Sequence, residues 1–220
     1  MRMSDHQGQE AKASGWRGSR ELWLAAAKQA FLDTGLEAVK IQPLASRLNI
    51  SRTSFYWFFK DRNALLDALL EEWERKNTGA FIDAGKAYAE TPAEAVLNLI
   101  GVFLDETLFE PRLDFAVRGW AHQSDAVMAR VNAADEHRLA AIRSIFERFG
   151  YAPDDADTRA RTVYLTQIGY ISMQVRESLR VRMRRIPRYV EIFSGHAPTA
   201  SELARFHARH GFRPGENGAG

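Results

Sequence analysis

Residues 41–59, IQPLASRLNISRTSFYWFF, carry the reading that decides the fold. Pro43 suits the first turn of a helix, where its missing N–H has no intrahelical acceptor to lose, and Leu44, Ala45 and Leu48 give that helix an apolar face. Asn49 follows, a residue that tolerates the left-handed conformation of a tight turn. Ser51 then caps a second helix, expected from Arg52 to Phe59. The apolar positions Leu44, Ala45, Leu48, Ile50 and Phe55 are spaced to hold the two helices at a steep angle, which is a helix-turn-helix layout. Its second helix presents Arg52, Thr53, Ser54, Tyr56 and Trp57 outward: one cation, two hydroxyls and two aromatics, groups that bond phosphates and base edges. The plainer reading is a helical hairpin with a solvated outer face. Against it stands Trp57, a large ring on a segment whose opposite face Phe55, Phe58 and Phe59 already fill.

Helical periodicity extends outward in both directions. Ser19 caps a helix over about 19–33, striped by Leu22, Trp23, Ala26, Ala27, Ala30 and Phe31 and stopped by Gly35. Asp61 caps a fourth helix, with Leu65, Leu66, Leu69, Leu70 and Trp73 at intervals of three or four, to about Asn77. After Thr91–Pro92 an apolar helix is expected from Ala93 to about Phe109, ended by Pro111. Further helices follow at about 112–122, 124–149, 153–180, 184–194 and 199–210. No alternating strand pattern of useful length appears, so the fold class is all-α. The domain reading is a flexible arm over 1–18, a DNA-binding domain over 19–77 with a hinge helix from about 61, an effector-binding and dimerisation domain over 78–210, and a tail over 211–220.

Composition narrows the function classes. The chain has 220 residues, 45% hydrophobic and 26% charged, values of a folded protein with an ample core. It contains no cysteine, which excludes disulfide frameworks, cysteine-ligated metal sites and cysteine nucleophiles, and suits a reducing cytoplasm. The uncharged run Thr162–Val175 is too short and too polar to span a bilayer, and the N-terminus has no apolar signal-peptide core, so no membrane partner and no export are expected. Net charge is only +2, yet residues 1–63 carry 10 Lys+Arg against 6 Asp+Glu while residues 64–220 carry 20 against 22. The basic excess lies beside the helix-turn-helix, as an acidic partner such as nucleic acid requires.

From Ser19 to about Trp73 the sequence resembles the TetR family of bacterial transcriptional regulators, most specifically over Ile50-Ser51-Arg52-Thr53-Ser54-Phe55-Tyr56-Trp57-Phe58-Phe59-Lys60-Asp61-Arg62-Asn63-Ala64-Leu65. Asn49 stands where the family usually has glycine, and Thr53 brings a branched side chain to the groove. The resemblance implies that Tyr56 and Arg62 contact DNA phosphates while Arg52, Thr53, Ser54 and Trp57 face the groove. Charge and placement at helix starts add Arg17, Arg20, Lys40, Gln42 and Lys60 to the phosphate group. The resemblance also implies a homodimer on double-stranded DNA with a palindromic operator, joined through the closing helices at about 154–180 and 184–210.

Residues 92–210 resemble the family's helical effector domain more loosely, through 115–121, 131–138, Phe146, Gly150 and 159–161. That likeness makes Phe103, Phe109, Phe115, Trp120, Met128, Tyr164, Tyr170 and Met173 candidates to line an apolar cavity for a small-molecule effector, with Gln167 and Tyr164 as its polar groups; core filling is the alternative for each. Arg118 and Asp135, amid apolar neighbours, are expected to form an interior ion pair. The run Arg176, Arg180, Arg182, Arg184, Arg185 and Arg188 reads as a solvated face or an anion site. No Glu-x-x-His, His-Glu-x-x-His, Gly-x-Ser-x-Gly or phosphate-loop pattern occurs, and His207 and His210 lack an acidic companion for a metal, so no cofactor and no catalysis are expected. A protein-interaction or anion-sensing module without operator binding is the alternative, with a helical-bundle enzyme behind it.

Overall fold

The computed structural model describes residues 18–215, and its regular elements there are all helical. The chain divides into two compact units, Met1–Trp73 and Glu74–Gly220, four residues earlier than the boundary read from sequence.

The first unit comprises α1 (Arg20–Thr34), a 3-10 turn (Leu36–Ala38), α2 (Ile41–Leu48), α3 (Arg52–Phe55) and α4 (Arg62–Trp73). Ser19 caps α1, its hydroxyl accepting from the Leu22 N–H at 3.1 Å, and Gly35 ends it at φ 99°, a left-handed value that favours glycine. Leu22 stands 41% exposed instead of joining the stripe, and Leu24 takes the buried place. Asn49 makes the turn at φ 53°, ψ 42°, as its residue type allows. Asp61 starts α4 by accepting from the Ala64 N–H at 2.9 Å. Trp23, Val39, Leu44, Phe55, Leu65 and Trp73 form the buried centre, with Trp23 edge-on to Phe55 at 5.2 Å. Regular helix α3 ends at Phe55, four residues before the expected end. The N–H groups of Tyr56, Trp57 and Phe58 bond carbonyls three residues back, a tighter winding that lets Phe59 stack on Phe55 at 5.4 Å inside the core.

The second unit opens with a π turn (Glu74–Thr78) and continues as α5 (Gly79–Lys86), α6 (Pro92–Leu104), α7 (Pro111–Ala121), α8 (Asp125–Arg148), α9 (Pro153–Ser172), α10 (Leu179–Ser194) and α11 (Ala200–Arg209). Helix α8 is the spine, packed against α5, α7 and α9, while α10 and α11 pack against α6. At Gly85 the backbones of α5 and α8 come so close that a Cβ would sit 2.9 Å from the Ala141 carbonyl oxygen.

Several boundaries differ from the sequence reading. Helix α5 is an added element, since Gly79, Gly85 and sparse apolar spacing hide it. Helix α6 stops at Leu104, before the expected Phe109, because Asp105 Oδ1 accepts from the Thr107 N–H (2.8 Å) and hydroxyl (2.6 Å) in a tight turn. Helix α9 stops at Ser172, eight residues early. Gln174 adopts φ 51°, and the N–H groups of Gln174 and Val175 return to the carbonyls of Ile171 and Tyr170, which closes the helix. Helix α10 starts at Leu179 because the Ser178 hydroxyl accepts from the Val181 N–H. Among the described residues no helix is long and apolar enough to cross a membrane.

Candidate functional site

Helix α3 and the turn after it put Arg52, Thr53, Tyr56 and Trp57 at the surface of the first unit, Tyr56 at 49% and Trp57 at 70% exposure. Arg52 Nη2 reaches Tyr56 Oη at 3.4 Å, one turn away, so cation and phenol stand together. Thr53 Oγ1 lies 2.5 Å from Ser51 Oγ, which fixes the branched side chain. Arg20, Lys40, Gln42 and Lys60 are exposed as well, Arg20 lying over the Phe59 ring at 5.3 Å. Arg17 lies outside the described residues.

Two residues depart from their expected places. Ser54 is buried at 4% exposure and its hydroxyl donates to the Ser51 carbonyl at 2.7 Å, so this side chain closes the first turn of α3 rather than facing outward. Arg62 donates from Nε to the Val39 carbonyl at 2.6 Å and from Nη2 to the Leu36 carbonyl at 2.9 Å, fastening the start of α4 to the 3-10 turn. Arg47, exposed in the last turn of α2, joins the basic surface although the sequence reading passed over it. Its place in the last turn of the helix preceding α3 was the available signal.

The second unit holds an ionic network among helices α7, α8 and α9. Arg118 binds Asp135 through both nitrogens, at 2.9 and 2.6 Å, as the sequence suggested, and also donates from Nε to Asp114 at 2.8 Å. Arg138, fully buried, donates to Asp114 (2.9 Å), to Tyr164 (3.1 Å) and to the Thr78 hydroxyl (3.0 Å). The Tyr164 hydroxyl donates to Asp135 at 2.6 Å. Burial raises the Tyr164 pKa above the ordinary phenol value, so the ring stays neutral and keeps its donor. Burial works against the charge of Arg118, but the Asp135 hydrogen bonds and the Asp114 charge outweigh it and raise its pKa. Two cations and two anions therefore balance, each fixed by hydrogen bonds. The π turn is tied to the same helices. Glu74 takes both nitrogens of Arg130 (2.7 and 2.8 Å), Lys76 binds Glu110 at 2.5 Å, and Asn77 exchanges hydrogen bonds with the Glu110 backbone.

The residues proposed for an apolar effector cavity are dispersed. Phe103, Phe109 and Tyr164 pack edge-on around Phe81 at 5.0 to 5.8 Å and fill core. Phe115 and Met173 stand exposed at 41% and 78%, and Trp120 and Met128 are half-buried. The Tyr164 hydroxyl is engaged by the ionic network. Edge-to-face rings satisfy one another, and helical spacing does not distinguish that from a cavity wall. Gln167 and Tyr170 do line a cavity, a small polar one of about 20 Å³ with room for one water, which also borders Arg182, Arg185 and Tyr189.

The model of the family described as "Bacterial regulatory proteins, tetR family" matches residues 24–69. The class C tetracycline repressor protein of Escherichia coli is 40% identical over 52 residues, a match covering 24% of this chain and 24% of that protein. This chain therefore matches about a quarter of that relative's length. Among solved structures, AmtR of Mycobacterium smegmatis superposes with a TM-score of 0.62 at 18% identity, over 90% of this chain and 96% of that one. SmeT, the repressor of the Stenotrophomonas maltophilia multidrug efflux pump SmeDEF, superposes with a TM-score of 0.58 at 19% identity, over 92% and 96%. At these identities the structural likeness extends the shared fold over most of the chain.

Proposed function

We propose that this chain, a member of the TetR family of bacterial regulatory proteins through its amino-terminal domain, acts as a homodimeric repressor that binds an inverted-repeat operator and leaves it when a small apolar or aromatic effector binds the second unit. The observation that carries the DNA-binding part is the exposed group Arg52, Thr53, Tyr56 and Trp57 on a packed helix-turn-helix. An indole at 70% exposure beside a guanidinium and a phenol offers stacking, base-edge and phosphate contacts from one short segment. Arg20, Lys40, Gln42, Arg47 and Lys60 add phosphate partners around it. One such helix contacts too few base pairs for specificity, and a two-fold dimer sets two of them about 34 Å apart.

For the dimer, α9 and α10 are the proposed contact. Leu165 and Ile192 stand outward at 60% and 66% exposure, apolar surface that a four-helix bundle with a second copy would bury. An effector shifts the operator equilibrium only through unequal affinity for the two spacings of the DNA-binding domains, with about 1.4 kcal/mol for each tenfold change. Selecting the operator from random duplex DNA with the full-length protein tests the reading. Enrichment of a palindrome by a species sedimenting as a dimer is expected, whereas no enriched sequence, or a monomer at micromolar concentration, would refute it.

A further inference from the structure

The arginine run of α10 is not uniform, and one member stands apart. Arg185 is neutralised: it pairs with Glu177 at 2.7 Å and donates to Tyr170 Oη at 3.0 Å, and Tyr170 Oη in turn meets Tyr189 Oη at 3.0 Å. Arg182, three residues earlier, borders the same cavity and is half-buried, yet among the described residues it forms no hydrogen bond or ion pair. Burial pulls its pKa below the ordinary arginine value, and the nearby phenol of Tyr170 and the carboxylate of Glu177 only partly offset that. Gln167 adds a second group: the residue is 6% exposed, lines the cavity and has no side-chain hydrogen-bond partner among the described residues. A half-buried guanidinium and a carboxamide that no protein group occupies thus stand together at one cavity, each able to bond a ligand.

We propose that this cavity receives the carboxylate head of a small organic acid. Two arginines and one glutamate leave a single positive charge, which one carboxylate cancels. The guanidinium fork of Arg182 matches a carboxylate's two oxygens, the Gln167 amide supplies a further donor, and the Tyr170–Tyr189 hydroxyl pair can turn one hydrogen toward an anion. Ile100 and Ile186 give the cavity an apolar wall, suited to the hydrocarbon body that follows the head. The present volume of about 20 Å³ admits one water, so binding requires the exposed Arg185 side chain to swing aside while the Tyr170–Tyr189 hydroxyl pair stays in place. The effector of the repressor reading thereby gains a chemical class, and this inference rests on that reading only for its regulatory meaning, not for the site itself.

Isothermal titration of the full-length dimer with sodium benzoate, at constant ionic strength and with sodium phosphate and sodium chloride as comparison anions, tests the site. Saturable benzoate binding is expected, weakened about tenfold or more by Arg182→Gln, which removes a charge-assisted donor. Tyr189→Phe is expected to weaken binding while leaving all charges in place, and Arg184→Gln, an exposed member of the same run, to leave it unchanged. Absence of saturable benzoate binding, equal binding of phosphate, or equal losses in Arg182→Gln and Arg184→Gln would overturn the proposal. Operator selection is read separately, so a protein that selects no operator yet binds benzoate through Arg182 keeps this site and loses the repressor function, and the converse result loses the site alone.

Discussion

Substituting Asp114 with alanine removes the carboxylate that joins Arg138 to Arg118 and leaves two guanidinium groups facing the single carboxylate of Asp135. Its two hydrogen bonds from these arginines disappear, at 2.8 and 2.9 Å, along with a longer one from Asn77 Nδ2 at 3.4 Å. Each of the arginine bonds is worth about 1.5–3 kcal/mol, and breaking a buried ion pair typically costs about 3–5 kcal/mol. Arg118 keeps some contact with water, so the lower part of that range applies, about 3–4 kcal/mol. Against a total stability of about 5–15 kcal/mol the loss is large without being fatal to the fold. Native-state hydrogen exchange of the α7 and α8 amides reads it directly, as protection reduced by about two to three decades. The companion is the double substitution Asp114→Leu with Arg138→Met, which exchanges the pair for apolar side chains of comparable bulk and leaves Arg118–Asp135 intact; it should recover most of the loss. A single variant within about 1 kcal/mol of wild type, or a double variant no better than the single, would refute the reasoning.

Three further outcomes are expected. Arg62→Ala should lower the stability of the first unit by about 2 kcal/mol, because two backbone carbonyls lose a charged donor. Exchange rates in α1 and α2 that do not change would return Arg62 to a purely phosphate-binding role. Trp57→Ala should flatten discrimination between operator and random DNA in a fluorescence-anisotropy titration, whereas Tyr56→Phe should weaken both and reduce the salt dependence; identical profiles would remove the division between reading and positioning. The last concerns pH. Burial lowers the pKa values of His207 and His210, with the Arg209 charge adding to the effect at His210 and Asp105 opposing it. Both Nε2 atoms are buried without a hydrogen-bond partner among the described residues. A depressed folded-state value means stability fully present above the unfolded pKa of about 6.5 and lost as pH falls through the folded one. Docking of α11 on α6 should therefore weaken between pH 7 and pH 5.5, above the range in which the carboxylates titrate, and His207→Gln with His210→Gln should abolish that slope in exchange measurements on α11.

Helix starts were legible because they rest on side chains that announce themselves. Ser19, Ser51, Asp61, Thr91, Ser124 and Thr199 each accept a backbone N–H at the start of the helix that their residue type suggested. Helix ends were harder. The stop after Ser172 depends on Gln174 adopting a left-handed backbone, a conformation that glutamine does not advertise, and the stop after Leu104 on an aspartate that could equally have continued the helix. The helix-turn-helix surface was readable from residue type and spacing, but Ser54 was not, because a hydroxyl can bond the chain behind it as readily as a ligand. The Arg118–Asp135 pair was visible as two opposite charges amid apolar neighbours. Asp114 and Arg138 were not: charged residues on amphipathic helices ordinarily mark the wet face, and only packing reveals that these two lie inside. The polar cavity escaped for the same reason, hidden within a run that looked like solvated arginine.

The ionic quartet of Asp114, Arg118, Asp135 and Arg138 also bears on how this domain can diverge. Each of the four is held by two others, so a lineage that replaces one alone passes through an intermediate carrying an uncompensated charge in its interior. That intermediate forfeits a substantial share of a modest stability reserve. Exchange of the whole set for apolar side chains is thermodynamically open, yet no single-step path leads there without crossing the deficit. These positions should therefore change together or persist together among descendants of this sequence, forming a block that drifts far more slowly than the surface around it.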